Sequence, residues 1–261
     1  MTTEIWRYRG WIWEAALGDL RYRYAGSGLG VFWNVVNPLL MLGVYMFIFT
    51  QVLQGPRANA EASPLLFPLY LACGFLPWIT FADGLGRSAQ TFVKNSVLLK
   101  KLAIPEIVFV AQTSASTLMS MCISVVLLLA LALAIGKGPS WSWLLLPMIV
   151  VLWQAFGFGL GMILGTVNVF FRDVAQIVSV AVQIWMWSVP VVYFEEALPV
   201  LYRASLPFNP AYPFVVGLRA AIMDTPSPTW LAGAMLVWVV LGLVGGAIIL
   251  NTLRSEIRDV L

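Results

Sequence analysis

Residues 168–194 read NVFFRDVAQIVSVAVQIWMWSVPVVYF, in which a charged turn, Arg172-Asp173, opens an apolar run long enough to cross most of a bilayer. At about 100° per residue, Gln176, Ser179, Gln183, Trp187 and Phe194 fall on one face of a helix, while Trp185 points nearly the opposite way. One side of this helix therefore mixes amides with aromatic rings. Amides are costly against lipid tails, so the face is expected to turn toward protein or a watery cavity. A wall of amides and flat rings suits a sugar, whose hydroxyls take hydrogen bonds and whose C–H faces rest on aromatic surfaces. The competing reading of the same helix is plain packing, with tryptophan near the membrane interface.

Outward from this stretch the composition agrees with a membrane setting. Hydrophobic residues make up 61% of the 261 residues and charged residues only 10%, which identifies an integral membrane protein. The net charge of +3 does not point to nucleic acid, because the basic residues cluster beside apolar spans, where they orient a membrane protein. The chain has no histidine, so the commonest general base and metal ligand is missing. Cys73 and Cys122 both lie in apolar runs, which indicates neither a disulfide framework nor a zinc site. Glu4, Arg7, Arg9 and Glu14 interrupt the opening apolar residues, unlike the core of a cleaved signal peptide.

The expected fold is all-α, with six transmembrane helices at 31–53, 66–87, 106–135, 141–167, 174–194 and 230–251 in a single domain. An amphipathic interfacial helix over residues 1–20 precedes them. The first span places Asn34, Asn37, Met41 and Tyr45 on one face, a second stripe of amides and an aromatic ring. Two such faces are able to wall one path. Asp83 stands near the inner end of the second span, four residues before Arg87, as an i,i+4 ion pair would. Residues 91–102 carry Lys94, Lys100 and Lys101 and are too short and charged to span, so they are expected at the cytoplasmic surface, either as a helix that passes a push from a soluble partner to two spans or as a solvated loop with its lysines at phospholipid headgroups. Gly157, Gly159, Gly161 and Gly165 form overlapping small-xxx-small patterns, which permit close helix approach within the chain or between chains. Residues 195–229, broken by six prolines, contain two apolar patches too short to cross, expected as re-entrant helices capping the outer end of the path. Six spans place both termini inside. That layout leaves Arg57, Lys137, Arg203 and Arg219 outside and the other eleven of fifteen basic residues inside, as the positive-inside rule requires.

No G-x-x-x-x-G-K-[ST] sequence occurs, nor a cluster of acids suited to Mg²⁺, so this chain is not expected to bind nucleotide through a P-loop or to catalyse a reaction. A secondary transporter would need an ion-coordinating group at the midplane, and Asp83 is the one marginal candidate. An enzyme acting on lipid-linked sugars is disfavoured by the lack of histidine and of paired acids on a common face.

Arg21-Tyr22-Arg23-Tyr24, Gly30-Val31-Phe32-Trp33, Asn37-Pro38-Leu39-Leu40, Gly74-Phe75-Leu76-Pro77-Trp78, Leu99-Lys100-Lys101 with Ile104-Pro105, Asn168-Val169-Phe170-Phe171-Arg172-Asp173, and Asn209-Pro210 followed by Arg219 occur in that order. This ordered set closely resembles the transmembrane subunit of ABC-2 type polysaccharide exporters, which move O-antigen, teichoic acid or related lipid-linked glycans. Each motif alone is weak; the set is specific.

The resemblance implies a bacterial inner-membrane homodimer working with two copies of a separate cytoplasmic ATPase, which would bind ATP and Mg²⁺, and a glycan carried on a polyprenyl pyrophosphate. It further implies that the N-terminal helix and residues 91–102, through Lys94, Leu98, Leu99, Lys100 and Lys101, contact the ATPase, and that the first and fifth spans line the channel. Arg21, Arg23 and Arg172 are the candidates to meet the lipid pyrophosphate at the inner entrance, since guanidinium forks fit phosphate oxygens. The nearest rival is an ABC-2 exporter of another substrate: teichoic acid, capsule, a small lipid or a drug.

Overall fold

The computed structural model describes residues 2–23, 26–48 and 66–261, and every regular element among them is helical. In chain order these are α1 (Thr2–Arg7), α2 (Arg9–Tyr22), α3 (Trp33–Phe47), α4 (Leu66–Ala89), α5 (Thr91–Lys94), α6 (Ser96–Lys101), α7 (Glu106–Ala134), α8 (Leu146–Phe170), α9 (Val174–Ser188), α10 (Val200–Ser205), α11 (Tyr212–Met223) and α12 (Leu231–Val260). Tyr24, the last five residues of the first expected span and the outer loop 54–64 lie outside the described residues.

Among the described residues, five helical stretches are long and apolar enough to cross a membrane: Gly30–Phe47, Phe67–Ala89, Glu106–Ala134, Trp141–Phe170 and Leu231–Val260. The molecule is a multi-pass membrane protein whose described elements are all helical. The expected span at 174–194 is shorter in the structure. Pro190 forces the residue before it out of the helical region, Val189 is extended (φ −116°, ψ 141°), and α9 stops at Ser188. Fifteen residues reach about 22 Å, less than the hydrocarbon thickness of about 30 Å.

Two other expected helices are also broken. The N-terminal helix divides at Tyr8 (φ −97°, ψ 12°), and one face of it packs on the rest of the protein. Ile12, Ala16 and Leu20, spaced four apart, are buried, and Trp11 meets Phe109 of α7 edge-on at 5.5 Å, while Trp6 and Trp13 stay exposed. The segment 91–102 divides at Asn95, whose side-chain amide donates to the Thr91 carbonyl at 2.8 Å and competes with the helical ladder.

Within a bilayer, lipid tails are as apolar as leucine, so helices associate mainly by close packing. The glycines of α8 provide it inside the chain. Gly159 lies against Gly242 and Gly246 of α12, and Gly161 and Gly165 lie against Ser88 of α4. Beside this seam, Trp78 and Phe81 of α4, Trp153 and Phe156 of α8, Trp185 of α9 and Phe214 of α11 form a ring cluster with centroid separations of 5.5–6.5 Å.

Neither α10 nor α11 is long enough to cross. Phe214 stacks on Trp153 and Phe156, and the Trp143 indole donates to the Ile222 carbonyl, so α11 runs antiparallel along the first half of α8. Asn209, at the bend between α10 and α11, accepts from the Trp185 indole at 2.8 Å and donates to the Ser188 hydroxyl at 3.0 Å. The hairpin thus hangs from the last turn of α9. An ion pair of 3.2 Å between Arg254 and Glu4 sets α1 beside the last turns of α12, so both chain ends lie at one end of the bundle.

Candidate functional site

A cavity of about 850 Å³ lies between α3, α4 and α9. From α3 it takes Asn34, Asn37, Met41 and Tyr45, spaced 3, 4 and 4 residues apart, which keeps them on one helical face. From α9 it takes Gln176, Ser179 and Gln183 by the same spacing. The two stripes expected from sequence therefore face a common space. Phe75 and Trp78 of α4 complete it with aromatic surface, and the Tyr45 and Phe75 rings lie 4.5 Å apart.

The entry of α9 into this wall is fixed by a buried side chain. Asn168, in the last turn of α8, accepts the Ala175 backbone N–H at 2.9 Å across the turn containing Arg172-Asp173, satisfying one of the open donors at the start of α9. The Ser179 hydroxyl donates to the Gln176 carbonyl at 2.7 Å, so Ser179 presents its oxygen as an acceptor, whereas the Gln176 and Gln183 side chains stay exposed.

Two expected members of the α9 stripe lie elsewhere. Trp187 is on the helix one turn beyond Gln183 but outside the cavity lining, half-exposed, with its carbonyl accepting the Tyr193 hydroxyl at 2.7 Å. Phe194 is not in the helix, which Pro190 has already ended; its ring packs on Tyr70 at 4.4 Å and Phe67 at 5.5 Å. The corrected α9 stripe is Gln176, Ser179 and Gln183.

Part of the cavity wall is charged. The Arg87 guanidinium donates to Asp83 (2.9 Å), to Asp19 of α2 (2.9 Å), and to Ser116 (3.2 Å) and Thr117 (2.7 Å) of α7. Arg23 reaches Asp83 at 3.3 Å and Asp19 at 3.5 Å. Two cations face two carboxylates, so Asp83 is a partner of arginines and no isolated acid. The i,i+4 pair of Asp83 and Arg87 was legible in the sequence; the links to Asp19, Ser116 and Thr117, 29 to 68 residues away, were not.

The three arginines expected at the inner entrance have different surroundings. Arg23 lines the cavity; Arg21 is exposed on α2 beside a separate shallow groove with Glu14, Gly18 and Tyr22; Arg172 is exposed in the turn before α9. In the 91–102 segment Lys94, Leu98, Lys100 and Lys101 are exposed, but Leu99 is fully buried with Phe92, Ile107 and Ile257. A side chain occupied in that way is an anchor of the segment and not a contact surface for another subunit.

The model of the ABC-2 type transporter family matches residues 15–223, from the middle of α2 to the last residue of α11. Similar curated proteins include the O-antigen export system permease protein RfbA of Klebsiella pneumoniae, 27% identical over 245 residues that cover 93% of this chain and 92% of the relative. The protein of the same name from Myxococcus xanthus is 33% identical over 193 residues, 74% of this chain and 72% of its own length. A second Klebsiella pneumoniae protein of that name is 27% identical over 207 residues, 79% of this chain and 77% of the relative. With four-fifths of the chain inside the matched region, the chain belongs to the ABC-2 type transporter family.

Proposed function

We propose that this chain is the path-forming permease subunit of an ATP-driven exporter that moves a lipid-linked, O-antigen-like polysaccharide across the bacterial inner membrane. The single observation that carries the substrate class is the cavity lined by amides of both α3 and α9 together with Tyr45, Phe75 and Trp78. Hydroxyl-rich chains with apolar ring faces match that mixture. The names of the relatives agree with it. Ion coupling is disfavoured, because Asp83 is already paired with Arg87 and Arg23.

In this reading α9 and the buried stretch after it make a sixth crossing, and α10 with α11 form a re-entrant cap. Support comes from direction: Gly165, near the end of α8, packs by Ser88 and Phe92 at the end bearing the termini, and α12 starts at the other, so the chain between must pass across. The arginine-rich end, with both termini, lies in the cytoplasm by the positive-inside rule. Two copies of the chain pair with two copies of a separate ATPase, which binds ATP and Mg²⁺ and docks on the exposed Lys94, Leu98, Lys100 and Lys101. Arg21, Arg23 and Arg172 are the candidates to meet a lipid diphosphate at the inner entrance, and Arg23 is the one of the three that lines the cavity.

The test is complementation. In a strain lacking its own permease, expression of the chain with its ATPase restores surface glycan, and the double variant Asn37→Ala, Gln183→Ala restores much less at equal membrane abundance. Full restoration by the double variant removes the cavity from the path.

A further inference from the structure

Segment α6 is six residues long, too short to hold a helix by itself, so its position is set by what anchors its two ends. Ahead of it, Thr91 shares a hydrogen bond of 3.0 Å with Thr113 of α7 and Phe92 is fully buried. Behind it, the chain is extended from Leu102, with no helix to carry force, until Glu106 opens α7. Glu106 is only 2% exposed, yet both its oxygens are engaged: Oε2 accepts from Arg254 Nε and Oε1 from Arg258 Nε, each at 2.6 Å. Arg258 also donates from Nη2 to the Ile104 carbonyl at 2.9 Å, and Arg254 reaches Glu4 of α1 at 3.2 Å. One carboxylate thus ties the rear of α6 to α1, α7 and the last turns of α12.

We infer that Glu106 is a positioning residue for energy transfer: its clamp on Arg254 and Arg258 delivers displacement of α6 to α12 and not into the extended connector. From α12 a physical path leads to the cavity. Gly242 and Gly246 touch Gly159 of α8 backbone to backbone, and Asn168 in the last turn of α8 holds the first turn of α9. The inference rests on the reading of α5 and α6 as the ATPase contact.

The experiment uses the chain co-expressed with its ATPase and three readouts: ATPase captured on purification, ATP hydrolysis by the complex, and surface glycan. Glu106→Gln keeps the shape and removes the charge. Arg258→Lys keeps the charge but loses the fork that spans Glu106 and Ile104 at once. Capture and hydrolysis are expected at wild-type level in both variants, with glycan export per ATP hydrolysed falling about tenfold in Glu106→Gln, within the range of coupling between two sites, and less in Arg258→Lys. Export at the wild-type level in Glu106→Gln overturns the inference, as does a fall in export matched by equal loss of capture. Should Glu106→Gln fail to accumulate, Arg258→Lys carries the same two outcomes. A wild-type chain that captures no ATPase overturns the docking reading itself, a result distinct from loss of coupling.

Discussion

A Cβ added to Gly159 would lie 2.3 Å from the carbonyl carbon of Gly242, so α8 and α12 meet backbone against backbone. Gly159→Leu therefore has to separate two helices. The expected loss is about 1–3 kcal/mol, as for overpacked interiors, or failure to assemble. Gly233→Ala is the control, since nothing lies within 4 Å of its Cβ position, and alanine gains up to about 1 kcal/mol within a helix. Thermal unfolding of the two purified variants in detergent checks the contrast.

Arg219 of α11 is 8% exposed, donates to the carbonyls of Pro190 (2.8 Å) and Val191 (3.3 Å), and lies 3.5 Å from the centroid of the Tyr70 ring. The backbone that Pro190 released from the helix thus finds its donor in a side chain. Arg219→Leu leaves these carbonyls unpaired, and a loss of about 1–3 kcal/mol is expected in thermal unfolding. Arg219→Lys retains the charge and recovers part of it. Equal stability of Arg219→Leu and wild type would show that the carbonyls need no such donor.

The periodic parts of this architecture were legible in the sequence, and the long-range parts were not. Residues 34, 37, 41 and 45, and 176, 179 and 183, declare their faces by spacing alone, because a helix has a fixed period. Phe194 was misplaced by extending that period through Pro190, although proline's effect on the preceding residue is itself a sequence signal. The glycines of α8 announced close approach without naming a partner; the partner of Gly159 is Gly242, more than eighty residues on, and that of Gly161 and Gly165 is Ser88. The resemblance implies an ATPase contact for the whole 91–102 segment, but a short segment of mixed composition does not show that Leu99 is its buried anchor. Arg87 and Glu106 drew their importance from Asp19 and from Arg254 and Arg258, contacts that only the folded chain creates.

Asp224 predicts a pH response at the end of the bundle opposite the termini. It accepts the hydroxyls of Ser142 (2.5 Å) and Ser140 (2.9 Å), and these bonds hold its carboxyl below the usual carboxylate value. A depressed folded-state value contributes stability above the unfolded value, about pH 3.9, and that contribution is lost as pH falls through the folded value. Asp224→Asn keeps the left-handed backbone (φ 55°), which asparagine tolerates, and removes the charge. The difference in unfolding temperature between wild type and Asp224→Asn is expected to shrink on acidification below about pH 4. A difference that grows on acidification contradicts this sign.

Tyr45 and Trp187 separate the lining from its surroundings. Tyr45→Ala is expected to lower export about three- to tenfold, the equivalent of one lost ring contact, with membrane abundance and ATPase capture unchanged. Trp187→Ala, outside the lining, is expected to change export less. Quantified surface glycan at matched expression checks both, and the reverse order would move the path from α3 toward the end of α9.

The most direct measurement places a photo-activated crosslinking residue at Gln183, at Asn37, or at Val126, an exposed position on α7 outside the cavity, in cells producing the lipid-linked glycan. Polysaccharide-bearing adducts are expected at Gln183 and Asn37 and absent at Val126. Adducts at Val126 alone, or none at Gln183 and Asn37 in chains that assemble with the ATPase and export glycan, would contradict passage of the saccharide between α3 and α9.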